Sequence, residues 1–136
     1  MQLISSTLAA FLVLLTGTSA LGINCRGSGE CLAVPDEDNA MQITNHLNNI
    51  DPHRWYKDGE QIVCLANMCA YLQNTNGGAS GATVQSVAHF IPEHGCKMCG
   101  SVPLGFASGH NNVADGQLTF NFARNPCDWS VIDGFC

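Results

Sequence analysis

His94-Gly95-Cys96-Lys97-Met98-Cys99-Gly100 is a C-x-x-C pair set on a glycine-flanked turn. Such a pair serves as half a zinc site, as a redox centre, or as a double anchor for two distant cysteines. Structural zinc takes ligands two to four residues apart, and the pair that would complete an all-cysteine site, Cys25 and Cys31, is spaced more widely. A reactive dithiol needs one thiolate activated at a helix N-terminus. Here the motif follows the end of a predicted helix, so disulfides to other cysteines are the favoured use.

The predicted compartment agrees. Leu8 to Leu15 is an almost unbroken apolar run, too short to span a bilayer, and Thr18-Ser19-Ala20 supplies the small residues that signal peptidase needs. Residues 1–20 read as a secretory signal and residues 21–136 as one mature, soluble, extracellular domain. All eight cysteines, at 25, 31, 64, 69, 96, 99, 127 and 136, lie in the mature part. An even count in an oxidising compartment points to four disulfides, which supplement the modest core of so short a chain. Five Lys and Arg against eleven Asp and Glu leave a net charge of −6. That balance repels phosphate backbones and anionic lipid heads, and so disfavours nucleic-acid binding and electrostatic attachment to membranes.

Outward from the motif, the pattern predicts two helices and several strands. Residues 21–34 read as an extended arm held at Cys25 and Cys31. Pro35-Asp36-Glu37-Asp38 opens a helix with Ala40, Ile43, Leu47 and Ile50 on one face, which Pro52 stops. Asp58-Gly59 suits a tight turn between a strand at Trp55-Tyr56 and one at Gln61 to Leu65. Met68 to Gln73 is a further strand, ended by the turn cluster Asn74 to Gly78. Ser80 caps a second helix with Val84, Val87, Ala88 and Ile91 on one face, limited by Pro92. Asp115-Gly116 turns into Gln117 to Ala123, where Leu118, Phe120 and Phe122 alternate with polar residues as in a strand with one buried face.

Catalytic motifs are absent: there is no G-x-S-x-G elbow and no H-E-x-x-H. A small secreted ribonuclease groups a Glu, a His and an Arg on a sheet face, and Glu60, His53 and Arg54 are the residues that could be cast in those parts. Their spacing gives that reading no support. Neither a cofactor nor a metal is expected.

Four stretches carry a resemblance: Leu21-Gly22-Ile23-Asn24-Cys25-Arg26-Gly27-Ser28, Ala70 to Asn76, His94 to Ser101, and Gly116-Gln117-Leu118-Thr119. In that order they resemble the killer-protein-four-like family, the virus-encoded killer toxins of smut fungi and their fungal chromosomal homologues. The resemblance implies an α+β fold, a compact disulfide-rich α/β sandwich with two helices packed on one face of an antiparallel sheet. It also implies the pairings Cys25 with Cys96, Cys31 with Cys99, Cys64 with Cys127 and, for the remainder, Cys69 with Cys136. Further cysteines of the toxin fall at Gly78, Gln85 and, roughly, Tyr56. The function implied is a non-enzymatic, monomeric secreted toxin or effector whose partner is a membrane protein of the target cell, a voltage-gated calcium channel. The toxin is basic, and the lysine tied to its channel action falls at Ile62 here. Lys57, Glu60, Ile62 and Lys97 are the candidate target contacts, and Ile62 read by itself is a strand residue packing inward. The alternatives are a small secreted hydrolase, or a non-toxic module that binds a wall component or a host protein.

Overall fold

A computed structural model describes residues 21–32 and 38–127. The signal-like segment, the Pro35-Asp36-Glu37 helix opening and Cys136 lie outside the described residues. A four-stranded antiparallel sheet orders its strands β2 (Val63–Leu65), β3 (Met68–Gln73), β6 (Gln117–Phe122) and β5 (Gly100–Pro103). Two shorter strands, β1 (Trp55–Tyr56) and β4 (Ala79–Ser80), make a separate antiparallel ribbon. Among the described residues three α-helices, α1 (Asn39–Leu47), α2 (Gly81–Ala88) and the single turn α3 (Phe90–Glu93), complete the α+β architecture.

Strand register sorts the side chains. Ala70 lies opposite Val63 and Phe120, and Leu72 opposite Leu118, which in turn faces Val102. Because side chains alternate along a strand, these six share one face. All six are fully buried, and they pack with Ala40, Ile43 and Leu47 of α1 and Val84, Val87 and Ala88 of α2. Helix α1 lies over β2 and β3, and α2 over β5 and β6. The opposite parity places Thr119 beside Ser101, with their hydroxyls 3.0 Å apart, and Gln73 Oε1 accepts from Thr119 Oγ1 at 2.9 Å. That second face carries a polar seam whose buried hydroxyls satisfy one another.

The helices follow local rules with two departures. The Ser80 hydroxyl accepts from Thr83 N at 3.2 Å, the cap expected of α2. Helix α1 ends at Leu47, before Pro52 is reached: Asn49 N and Ile50 N turn back to the carbonyls of His46 and Leu47, tightening the last turn. Pro92 does not end the second helical run either. The chain breaks at His89 and restarts, so that Pro92 falls within the first turn of α3, where no hydrogen-bonding N–H is required.

The Asp58-Gly59 turn forms, with Gly59 at φ +77° and Glu60 N bonded to Lys57 O at 3.1 Å, but it does not join paired strands. After the turn, Gly59 N donates to Leu72 O and Ile62 N to Ala70 O, so this stretch runs along β3. Its backbone is thereby used, and Trp55-Tyr56 pairs with Ala79-Ser80 instead.

The N-terminal arm covers the outer edge of β5. Asn24 N donates to Ser101 O at 3.0 Å and Ser101 N to Asn24 O at 2.8 Å, one antiparallel bridge on an otherwise open edge. Cys25–Cys96 and Cys31–Cys99 hold it there, with Cα separations of 5.1 and 5.9 Å. Gly27 sits between the clips: a Cβ there would lie 2.4 Å from Cys99 Cβ and 2.7 Å from Cys31 Sγ, so no larger residue fits.

The third disulfide corrects an expectation. Cys64 bonds Cys69, five residues on, in place of the Cys64–Cys127 and Cys69–Cys136 pairs. Leu65-Ala66-Asn67-Met68 closes β2 and β3 as a hairpin with two residues between the last paired positions, and its register puts Cys64 directly across from Cys69 with their Cα atoms 4.0 Å apart. Cys127 is also disulfide-bonded, and Gln61 brings it near Cys64: Gln61 Oε1 accepts from Cys127 N at 2.7 Å and lies 3.5 Å from Cys64 Sγ. Cross-strand register decides the bond.

The clips close loops of 71 and 68 residues, the hairpin bond one of 5. Loop-closure entropy then assigns about 4 kcal/mol to Cys25–Cys96 and about 2 kcal/mol to Cys64–Cys69. Replacing Cys25 and Cys96 by Ser should therefore lower the unfolding free energy in urea by about 2 kcal/mol more than replacing Cys64 and Cys69 by Ala. Peptide mapping without reduction should recover Cys64 and Cys69 bonded within one fragment.

Candidate functional site

The loop from Asp51 to Glu60 is built by short-range hydrogen bonds. His53 N donates to Asp51 Oδ1 at 2.8 Å, Lys57 N to Glu60 Oε2 at 3.0 Å, and Arg54 Nη2 to Glu60 Oε1 at 2.8 Å. The Arg54 guanidinium also lies 4.7 Å above the ring of Tyr56, which is itself buried. Lys57 N–H chiefly, and the Arg54 guanidinium with it, hold the Glu60 carboxyl below its ordinary range against the opposing pull of partial burial. Glu60 therefore acts as a clamp on its own turn.

The structure divides the four candidate contacts. Lys57 is exposed and Glu60 half-buried, and they share this turn. Lys97 is exposed at the other end of the sheet, on the loop pinned by both clips, where its carbonyl accepts from Ala40 N at 2.9 Å. Gly59 bonds at the Leu72 end of β3, whereas Cys99 precedes a strand whose register leads to the Met68 end. The two lysines thus lie toward opposite ends of β3. They form two places on the surface, and no single patch holds both.

Ile62 is not a surface residue at all. It is 2% exposed within the core, so it cannot touch a partner while the domain is folded. The Ile62 N to Ala70 O bond of 2.8 Å holds this stretch beside β3, and the side chain belongs to the core cluster. The pinned loop around Lys97 borders an open cleft of about 240 Å³ lined by Cys25, Leu32, Gly95 and Met98 among others. Sequence reasoning overlooked Trp55, which is 58% exposed on the ribbon next to this site's first loop. Its signal was available as an aromatic next to a predicted turn, but only the ribbon shows which of Trp55 and Tyr56 points outward.

Two of the positions at which the resemblance places further cysteines adjoin each other here: a Cβ on Gly78 would lie 2.1 Å from the Tyr56 carbonyl oxygen. At the third, Gln85 Nε2 bonds the carbonyls of Leu47, Asn48 and Ile50 at 3.2, 3.3 and 2.9 Å. Hydrogen bonds therefore tie α2 to the end of α1, where they satisfy carbonyls that the helix leaves open.

Ile62→Lys should cost about 3 kcal/mol or more, because it puts an unpaired ammonium among apolar side chains; a lowered urea midpoint checks this. Glu60 has a depressed folded pKa, so its contribution is complete above the ordinary Glu value near 4.3 and is lost as pH falls through the folded value. Glu60→Gln should flatten that portion of the acid-unfolding profile and cost less than about 1 kcal/mol at neutral pH, the pair being largely solvated.

The family model described as Kp4 matches residues 8–124 of the chain. The KP4 killer toxin of Ustilago maydis P4 virus is 34% identical over 111 residues, an alignment covering 79% of this chain and 84% of the toxin. With the matching region running from the N-terminal arm through the clipped turn to the last strand of the sheet, the chain belongs to the Kp4 killer-toxin family.

Proposed function

We propose that the chain is exported, cleaved before Leu21, and acts outside the producing cell as a killer toxin or effector on competing fungi or host cells, by reducing calcium entry through a voltage-gated channel. The observation that supports this reading is the family match over residues 8–124. Disulfides that clip the arm suit an oxidising, protease-rich exterior. Action is by binding: Glu60, the carboxylate that a hydrolase would need as acid or base, is engaged by Arg54 and Lys57.

Lys97 is the contact residue in this reading, with Lys57 as a second. An exposed ammonium on a loop fixed by two disulfides is presented without the entropy cost of ordering a free loop. In a chain of net charge −6 such a cation also stands out to an acidic channel mouth. Ile62 has no part in contact, so this chain does not reuse the position of the toxin's lysine.

Purified protein should slow growth and reduce uptake of radiolabelled calcium in at least one member of a panel of fungi and plant cells. Lys97→Glu should weaken both effects more than Lys57→Glu, while leaving the urea midpoint unchanged. Growth inhibition with calcium uptake intact would refute the channel reading, and no effect on any cell would refute the toxin reading.

A further inference from the structure

Trp55 is a large apolar side chain left 58% exposed, and the surrounding chain fixes it in place. Its indole Nε1 donates to Gly77 O at 2.8 Å. That carbonyl belongs to the turn Asn74 to Gly78, in which Asn74, Asn76, Gly77 and Gly78 all have positive φ. Gly78, at φ +95°, is the critical member: a Cβ there would lie 2.7 Å from Trp55 Nε1 and 2.1 Å from Tyr56 O, so only glycine lets the turn close against the ring. Thr75 secures the turn, its hydroxyl accepting from Gly78 N at 2.6 Å and donating to Asp58 Oδ1. The turn that joins β3 to β4 thus uses two asparagines and two glycines in left-handed geometry to close against a fixed, outward-facing indole.

We infer that Trp55 is a stacking platform for a neutral, β-linked polysaccharide of glucose or N-acetylglucosamine. A pyranose with equatorial substituents offers one flat face of C–H groups, which suits the electron-rich face of an indole, and a rim of hydroxyl or amide groups. The rim here is polar: His53, Lys57, Asp58 and Asn76 are all exposed around the ribbon. A protein partner calls for a continuous desolvated apolar centre, whereas the other large exposed hydrophobic residues, Leu21, Leu32 and Met41, belong to the arm and to α1. The net charge of −6 repels anionic polymers, which leaves the neutral glycans of cell walls. Such binding would concentrate the protein at a wall, independently of any effect on calcium.

The test is retention of the purified protein on insoluble β-1,3-glucan and on chitin, with laminarihexaose and chitohexaose as soluble competitors, the two arms separating glucose from N-acetylglucosamine. The natural chain should be retained on one of them. Trp55→Ala should weaken retention about tenfold or more and Trp55→Phe less than Trp55→Ala, each variant keeping a cooperative urea transition that shows it is folded. In a Trp129→Phe background, where Trp55 is the sole indole, the bound hexasaccharide should shift or quench the fluorescence. No retention on either glycan, or equal retention of Trp55→Ala, would overturn the inference, as would competition for the site by a protein and by neither sugar.

Discussion

The two disulfides that seize the arm at Cys25 and Cys31 are the constraint on which the remaining structure leans. A strand of four residues such as β5 has little pairing of its own, and its outer edge is a row of unsatisfied backbone groups. Clipping the arm to Cys96 and Cys99 covers that edge at Asn24 and fixes the turn that feeds β5. The same turn receives Ala40 N on the Lys97 carbonyl, so the start of α1 is set against it as well. Arm, sheet edge and first helix therefore share one anchored point.

Around that point the chain uses different fastenings for different distances. Contacts far apart in sequence carry covalent clips, since closing a loop of about 70 residues costs the most entropy. Contacts between neighbouring helices use the Gln85 amide, and contacts within the Asp51 to Glu60 loop use single carboxylates. Family membership is consistent with this division. Three of the four cysteines in the outer clips, Cys25, Cys96 and Cys99, fall in the stretches that carry the likeness, whereas the hairpin bond Cys64–Cys69 departs from the pairing that the likeness implies.

The proposed contacts follow the same division. Lys97 is presented by the covalently fixed end of the sheet, and Trp55 by a ribbon whose rigidity comes from backbone geometry and hydrogen bonds. Register places the loop carrying Lys57 and the loop carrying Lys97 at opposite ends of β3. Partners that engage the two ends need not compete, which is compatible with holding a wall glycan at one end and meeting a membrane protein at the other.

The sequence by itself determined the two main helices, the long strands β3 and β6, the Ser80 cap and the anchoring use of the C-x-x-C motif. Each of these is written in local periodicity, in a capping residue or in cysteine count, signals that depend on neighbours along the chain. The tertiary structure decided the rest, because it depends on which backbone groups find each other across space. The stretch after Gly59 pairs with β3 and leaves Trp55-Tyr56 to β4, and cross-strand register joins Cys64 to Cys69. Ile62, a candidate contact by resemblance, packs inward as its strand reading expects, while Trp55 proves to be the exposed aromatic. Side-chain alternation is read from sequence only up to a shift of one residue, and that shift exchanges inside for outside.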